Sequence, residues 1–330
     1  MKIIKFMLIL VAIASSLSGM TVLASPLFEG SDLINVERDI DGLITLKGPN
    51  CQELTEQVKA LENWKIKLGG TPGQLLTPLE NSEENNCQII INNSIPNIIK
   101  HLQGFKATSN GPNCWNSALR LSEIIHFFRH VSSDEMTFWL SSPYCKELSE
   151  SERKLPGDIV EIRSMNPEYP LAFEEIHGMI YITDELVFSK NTSSRMSPYG
   201  IQRSSLIYQS FRVDNLQCKN QQDSSGDCSR WINYYRCHSA DKDRIFYEKI
   251  NNKFSAVFFE LEKIEFKISK YVFEGKSSSE FNKIIIGKQL NDIEIKISNE
   301  KISGKDMPFF WQALYHEINS LKTQMKIIGP

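Results

Sequence analysis

The residues best suited to chemistry in this 330-residue sequence form one short segment, Gly111-Pro112-Asn113-Cys114-Trp115-Asn116. Proline is favoured at the first position of a helix, because its missing N–H costs no hydrogen bond there. The apolar residues that follow, out to Phe128, recur at three- and four-residue spacing and cover too broad a face for a surface helix. The pattern predicts a mostly buried helix with Cys114 in its first turn.

A cysteine at this position is a candidate nucleophile. Free N–H groups and the positive end of the helix dipole favour the thiolate over the thiol. A thiol with the ordinary pKa of about 8.5 still needs a base to become an effective nucleophile at neutral pH. The alternative is an inert buried cysteine, which is a common role for this residue.

A histidine lies on a later predicted strand, Glu175 to Thr183. Alternation along this strand puts Gly178 and Ile180 on one face, and His177 and Met179 on the other. An imidazole on such a strand is a candidate general base. An ordinary strand histidine is the other interpretation.

Three segments together resemble the NlpC/P60 family, which are papain-like cysteine peptidases of the bacterial cell envelope. They are Asn113-Cys114-Trp115-Asn116, then Pro156-Gly157-Asp158-Ile159-Val160, then His177-Gly178-Met179-Ile180-Tyr181-Ile182. The resemblance covers roughly residues 105–215 and leaves both flanks of the chain unexplained. The sequence departs from the family beside the cysteine, where Asn113 replaces the usual Asp and Trp115-Asn116 replace Ser-Gly.

The resemblance implies roles for three residues. Cys114 would attack an amide carbonyl, and His177 would accept the thiol proton and pass it to the leaving amine. The backbone N–H of Cys114 would help to hold the oxyanion. The family's third polar residue, which orients the histidine, falls on Ser189, with Asn191 as the alternative.

The function expected from this set is that of an exported cysteine amidase or peptidase, which cleaves a peptide or isopeptide bond through a thioester. The resemblance implies a peptidoglycan stem peptide or another peptide as the substrate, and it implies no cofactor and no metal. One alternative is an acyl-transfer or deamidating thiol enzyme. Another is a catalytically inactive protein that binds or supports the cell envelope.

The fold class expected is α+β. The resemblance implies a papain-like core, residues 105–240, in which the cysteine helix packs on an antiparallel sheet. Residues 25–104 read as an N-terminal α/β cap with an amphipathic helix from Cys51 to Leu68. Residues 241–330 read as a helical extension whose protein partner, if any, is left open. Within the core, Leu206 to Val213 is predicted to be a strand.

The N-terminus has the features of a secretory signal peptide over residues 1–24. Lys2 and Lys5 precede a short apolar run, and small residues precede a cut after Ala24. The apolar part is shorter than the ~20 residues that a membrane span needs. Removing the two lysines takes the formal net charge from −3 to −5, which leaves no basic excess for nucleic acid. The expected location is the periplasm or the exterior.

All 7 cysteines follow the predicted cut. In an oxidising compartment six of them can pair, and Cys114 is the candidate for the unpaired thiol. The simplest arrangement joins Cys51 to Cys87 and makes two pairs among Cys145, Cys218, Cys228 and Cys237. Zinc binding by the last three of these with His238 is the weaker alternative, because the spacing lacks a CxxC knuckle.

Overall fold

Two antiparallel sheets form the frame of the protein in the computed structural model. The structure describes residues 35–38, 43–73, 79–81, 86–165, 173–213, 230–275, 281–302 and 307–328. The predicted signal peptide, residues 1–24, lies outside the described residues. Ile34–Pro330 form one compact unit.

The first sheet has the strand order β1-β2-β4-β3, with every neighbouring pair antiparallel. Its strands are β1 (Asn35–Arg38), β2 (Ile44–Gly48), β3 (Leu79–Asn81) and β4 (Asn86–Ile90). Helix α1 (Cys51–Lys67) packs against β2 and β4, as the apolar spacing from Cys51 to Leu68 predicted. Asn50 caps this helix by accepting a hydrogen bond from the N–H of Gln52.

The second sheet has six strands in the order β5-β10-β6-β7-β8-β9, again antiparallel throughout. Its strands are β5 (Cys145–Glu147), β6 (Ile159–Met165), β7 (Phe173–Tyr181), β8 (Leu186–Lys190), β9 (Tyr199–Arg203) and β10 (Arg230–Cys237). Apolar side chains cover both faces of β7. The α+β class is therefore confirmed.

Three of the remaining helices in the described ranges precede the strands of this sheet in the chain, one lies between β9 and β10, and four follow β10. They are α2 (Asn97–Leu102), α3 (Cys114–Leu121), α4 (Ser133–Leu140), α5 (Ser204–Ser210), α6 (Asp241–Ile250), α7 (Asn252–Glu274), α8 (Lys283–Ile302) and α9 (Phe309–Ile327). The helices after residue 240 share one apolar core with α1, α3 and the near face of the six-stranded sheet.

Cys114 lies in the first turn of α3, as predicted, but Pro112 precedes the N-cap Asn113 and is not the first helical residue. The helix is also much shorter than the apolar run suggested. It ends at Leu121, and Glu123 has a φ of 65°, which is left-handed backbone that terminates a helix. The N–H of Ile124 bonds back to the carbonyl of Leu119. The apolar residues beyond this point belong to a buried loop rather than to the helix.

One other expectation is corrected. The segment predicted as a strand from Leu206 to Val213 contains helix α5, in which Leu206 is exposed and Ile207 is buried. Tertiary context overrides β-propensity here, because the hydroxyl of Ser204 donates to the carbonyl of Asp184 and holds the helix start on the sheet. The predicted helical extension after residue 240 begins with α6 and α7, which are separated at Asn251, whose side chain caps α7.

The cysteines follow the predicted framework as far as they are described. Cys51 is bonded to Cys87, and Cys145 is bonded to Cys237. Cys114 is free and buried, as predicted for the unpaired thiol. Because Cys237 is in a disulfide, it is not available to the zinc site considered from the sequence; Cys218 and Cys228 lie outside the described residues. Within the described part of the chain, no helix is long and apolar enough to cross a membrane.

Candidate active site around Cys114

Local sequence explains how Cys114 is held. Asn113 is the N-cap of α3, and its Oδ1 accepts a hydrogen bond from the N–H of Asn116 at 3.1 Å. The amide of Asn113 also donates to the carbonyl of Val131 at 2.7 Å, which ties the helix start to the loop after α3. Only 7% of Cys114 is exposed. The thiol is thus fixed in a closed position at the helix N-terminus.

Burial and local hydrogen bonds act in opposite directions on this thiol. Burial raises the pKa of Cys114, because the thiolate would lose its hydration. The backbone N–H groups of Gly178, Trp115 and Cys114 itself donate to the sulfur and lower the pKa, and so does the positive charge of Lys190. The effect of burial on the pKa is larger than the effect of these groups, so Cys114 rests as a thiol, with groups that favour the thiolate around it.

Gly178 lets the cysteine helix approach strand β7 closely. A Cβ atom built on Gly178 would lie 3.1 Å from Cδ1 of Trp115 and 3.5 Å from Cβ of Ala118, both in α3. A side chain here would push the helix away from the strand. The face of β7 that includes Gly178 is therefore the face that carries Cys114.

The structure does not bring His177 to Cys114. The His177 ring stacks on Phe211, with 4.4 Å between ring centroids, within the second apolar cluster on the opposite face of the sheet. Its neighbour on that face is Met179, whereas Gly178 faces α3. Among the described residues, His177 Nδ1 has no hydrogen-bond partner, and its Nε2 contacts Ser189 rather than the thiol. The predicted pairing of Cys114 with His177 is thereby corrected.

Ser189 does contact His177, but in a network remote from the thiol. The Ser189 hydroxyl donates to Oδ1 of Asn191 at 3.0 Å, so it accepts from Nε2–H of His177 at 3.2 Å. The amide of Asn191 donates onward to Gln202 at 3.0 Å. These hydrogen-bond directions place the proton of neutral His177 on Nε2. Burial lowers the pKa of His177 to about 4, so the ring stays neutral at ordinary pH.

The cation that faces Cys114 is Lys190, the last residue of β8. Its side chain is fully buried, and its ammonium donates to the carbonyls of Thr192 at 2.7 Å and Ser194 at 2.8 Å. Burial lowers the pKa of Lys190 to about 8, and the charge of a Cys114 thiolate opposes that change. Sequence reasoning did not identify Lys190, because the family's spacing after His177 placed the third site residue at its neighbour Ser189.

An acidic group flanks the same position on the other side. Glu161 of β6 pairs directly with Gly178, and Ile159 two residues before it packs in the core beneath α3. The Glu161 carboxylate lies 2.7 Å from Nε of Arg163. Burial raises the pKa of Glu161 to about 8, and the nearby charge of Glu175 adds to the rise. Alternation on β6 could have suggested this residue, but only the register sets it beside Gly178.

The C-terminal helices reach the loop that precedes Cys114. Gln324 of α9 is fully buried, and its amide donates to the carbonyl of Asn110 at 2.8 Å. Its Oε1 accepts from the backbone N–H of His130, on the other side of the cysteine helix. At the end of α7, the carbonyl of Val272 accepts from the hydroxyl of Thr108 at 2.7 Å. These contacts fix the segment that leads into α3.

A buried ion network fastens the same helices to the core. Arg129 is fully buried and forms two hydrogen bonds to Glu135 of α4, at 2.6 and 2.7 Å. Its Nε donates to Glu265 of α7 at 2.6 Å. One guanidinium group therefore joins two carboxylates from separate helices.

Two clefts are found away from the thiol. One, of about 630 Å³, is lined by polar residues of α1 and of the 150–154 loop. The other, of about 440 Å³, lies between Trp64 and the Gly157 turn. Cys114 lines neither of them.

Comparisons of the chain with protein families, with curated proteins and with solved structures found no match to any of them.

Proposed function

We propose that this protein is an exported thiol hydrolase of the NlpC/P60-like type, which uses Cys114 to cleave a peptide or isopeptide bond in the periplasm or outside the cell. The observation that carries the proposal is the environment of the sulfur. The unpaired cysteine at the first position of α3 is surrounded by three backbone N–H groups that lower its pKa, although two disulfides lie elsewhere in the chain. Paired cysteines suit an oxidising compartment, where an unpaired one requires a reason.

The chemistry is acyl transfer. The thiolate of Cys114 attacks the amide carbonyl, the amine leaves, and water releases the acid from the thioester. The same N–H groups that favour the thiolate lie close to the position of the developing oxyanion, with the N–H of Cys114 at the helix start. Transfer of the acyl group to an amine in place of water would give the transferase alternative, whereas loss of ammonia from a side-chain amide followed by attack of water would give the deamidase alternative. The peptidoglycan stem peptide remains the substrate proposed, on the basis of the motif resemblance.

A second candidate is an inactive envelope-binding or structural protein. The observation that favours it is the 7% exposure of Cys114, together with clefts that do not include the thiol. His177, the base that the resemblance implied, is engaged with Ser189 on the other face of the sheet. On this alternative, Cys114 is a packed core residue.

The deciding experiment uses the purified exported protein and the Cys114→Ala variant. Each is incubated with isolated peptidoglycan, and released muropeptides are identified by mass spectrometry. In parallel, p-nitrophenyl acetate is offered to both, and the protein mass is checked for an acetyl group on Cys114. We expect peptide release and acetylation for the natural protein alone, with equal thermal stability of the two.

Equal release by the Cys114→Ala variant would refute the role of the cysteine. Acetylation of Cys114 without release from peptidoglycan would retain the thiol chemistry and reject the substrate. Absence of both, in a folded protein, would establish the inactive alternative.

A further inference from the structure

Lys190 is an unusual residue for the interior of a sheet. Lysine is almost never fully buried unless its charge is paired. Among the described residues, no carboxylate forms an ion pair with Lys190, and Cys114 is the charge partner that acts on it. A fully buried ammonium with a thiol as its counter-group is difficult to explain as packing alone.

The hydrogen bonds of Lys190 leave room for this partner. An ammonium group has three donors, and two of them bond the carbonyls of Thr192 and Ser194. When the group is neutral, it has one lone pair and can accept a proton. The two carbonyl contacts hold the nitrogen in a fixed position while the remaining site is free to exchange a proton.

The strand register brings the two groups to the same place. Strands β7 and β8 pair through Ile180 with Phe188 and Tyr181 with Val187. Continuing this register sets Gly178 opposite Lys190. Since Gly178 is the position at which β7 packs closely against α3, the lysine lies beside the strand position that faces the start of the cysteine helix.

We propose that Lys190 is the proton partner of Cys114, and that the site operates as a cysteine–lysine pair in place of the cysteine–histidine pair implied by the motifs. This inference rests on the proposed thiol hydrolase function and specifies its acid–base group. Lys190 acts in both protonation states during one turnover.

The proton and bond changes balance through one cycle. The neutral amine of Lys190 takes the thiol proton as the sulfur bonds the carbonyl carbon, and the resulting ammonium protonates the leaving amine as the C–N bond breaks. Water then adds to the thioester with its proton taken by the amine, and the thiolate leaves as the C–S bond breaks. The amine and thiol are restored with no other reactant.

The other titratable groups near the thiol do not fit this role. His177 hydrogen-bonds Ser189 on the opposite face. Glu161 is paired with Arg163 at 2.7 Å. Of the three, Lys190 is the group whose positive charge lowers the pKa of the Cys114 thiol.

The test measures the alkylation rate of Cys114 by iodoacetamide from pH 6 to pH 10, because this reaction needs no knowledge of the substrate. The natural protein, with the pKa of Lys190 lowered to about 8, should show a rate that rises around that pH. In Lys190→Met, which keeps an unbranched side chain one atom shorter but accepts no proton, we expect at least a tenfold lower rate at pH 8 and a rise displaced to higher pH.

Lys65→Met is the matched control. Lys65 is another buried lysine, paired with Glu62 at 3.1 Å in α1. Its removal should reduce stability while leaving the alkylation profile of Cys114 unchanged. Thermal melting confirms that each variant is folded at the assay temperature, and a Lys190→Gln variant, which retains donors for the two carbonyls, replaces Lys190→Met if the latter is unfolded.

The outcomes separate the two proposals. An unchanged profile in a folded Lys190 variant overturns the cysteine–lysine pair, whether or not Cys114 proves to be the nucleophile. A changed profile together with full peptide release by Cys114→Ala supports the pairing but refutes the hydrolase. Equal displacement of the profile in Lys65→Met would show a general loss of stability and would also overturn the pairing.

Discussion

Replacing His177 by phenylalanine is expected to remove an acid-sensitive part of the stability while leaving the chemistry of Cys114 unchanged. The ring of His177 is fully buried against Phe211, and burial lowers its pKa from 6.5 to about 4. Below pH 6.5 the imidazole of His177 becomes protonated in the unfolded chain, whereas in the folded protein it stays neutral until about pH 4. The contribution of neutral His177 to the free energy of unfolding is therefore present above pH 6.5 and is lost as the pH falls towards 4.

The magnitude follows from these two pKa values. Each unit of difference corresponds to about 1.4 kcal/mol, so the protein loses about 2 kcal/mol between pH 7 and pH 5, and about 3 kcal/mol by pH 4. His177→Phe keeps a ring on Phe211 but does not titrate. Its free energy of unfolding should therefore fall less than that of the natural protein over this range.

The assay is urea unfolding at half-unit steps from pH 7 to pH 4, followed by tryptophan fluorescence. Other acid-sensitive groups contribute to both proteins and cancel in the difference. Ser189→Ala is the matched control: it removes the hydrogen bond but leaves the imidazole buried, so it should keep the natural pH dependence. Parallel pH curves for His177→Phe and the natural protein would refute the burial argument. A tenfold change in Cys114 alkylation in His177→Phe would refute the assignment of the ring to the opposite face.

Two further substitutions test the elements that hold the site. Arg129→Met should cost about 3–5 kcal/mol in urea unfolding, because it leaves the buried carboxylate of Glu135 without its cation; a loss below 1 kcal/mol would contradict the network. Gly178→Ala adds a Cβ 3.1 Å from Trp115, and overpacking of this kind typically costs about 1–3 kcal/mol. It should also slow the alkylation of Cys114, and a natural rate would show that the helix position does not matter to the thiol.

Regular amphipathic segments were the part of the fold most open to sequence prediction. Helix α1 occupies Cys51–Lys67, close to the predicted Cys51 to Leu68, and helices α6 to α9 lie in the predicted helical extension, residues 241–330. The predicted disulfide between Cys51 and Cys87 was also confirmed. In each case, apolar spacing or the simplest cysteine pairing agrees with the way the segment packs.

The less regular segments were decided by contacts that no local pattern contains. Apolar residues continue past Leu121, so nothing in the spacing ends α3 there; the left-handed backbone at Glu123 does. Leu206 to Val213 has β-forming residues, yet the anchoring of Ser204 to the carbonyl of Asp184 starts a helix. When a short apolar segment would be buried as either a helix or a strand, hydrophobic periodicity does not distinguish the two.

The sequence by itself determined that Cys114 lies in the first turn of a helix, because a capping side chain such as that of Asn113 acts on its immediate neighbours. It also determined that His177 and Gly178 point to opposite faces of their strand, since alternation is a property of extended backbone. Which of these faces meets the cysteine helix was decided only by the tertiary structure. Both faces of β7 are buried, so either could have packed against α3. The absence of a side chain at Gly178 allowed the close approach of the helix on that face. The same choice of face set Lys190, rather than His177, beside the thiol.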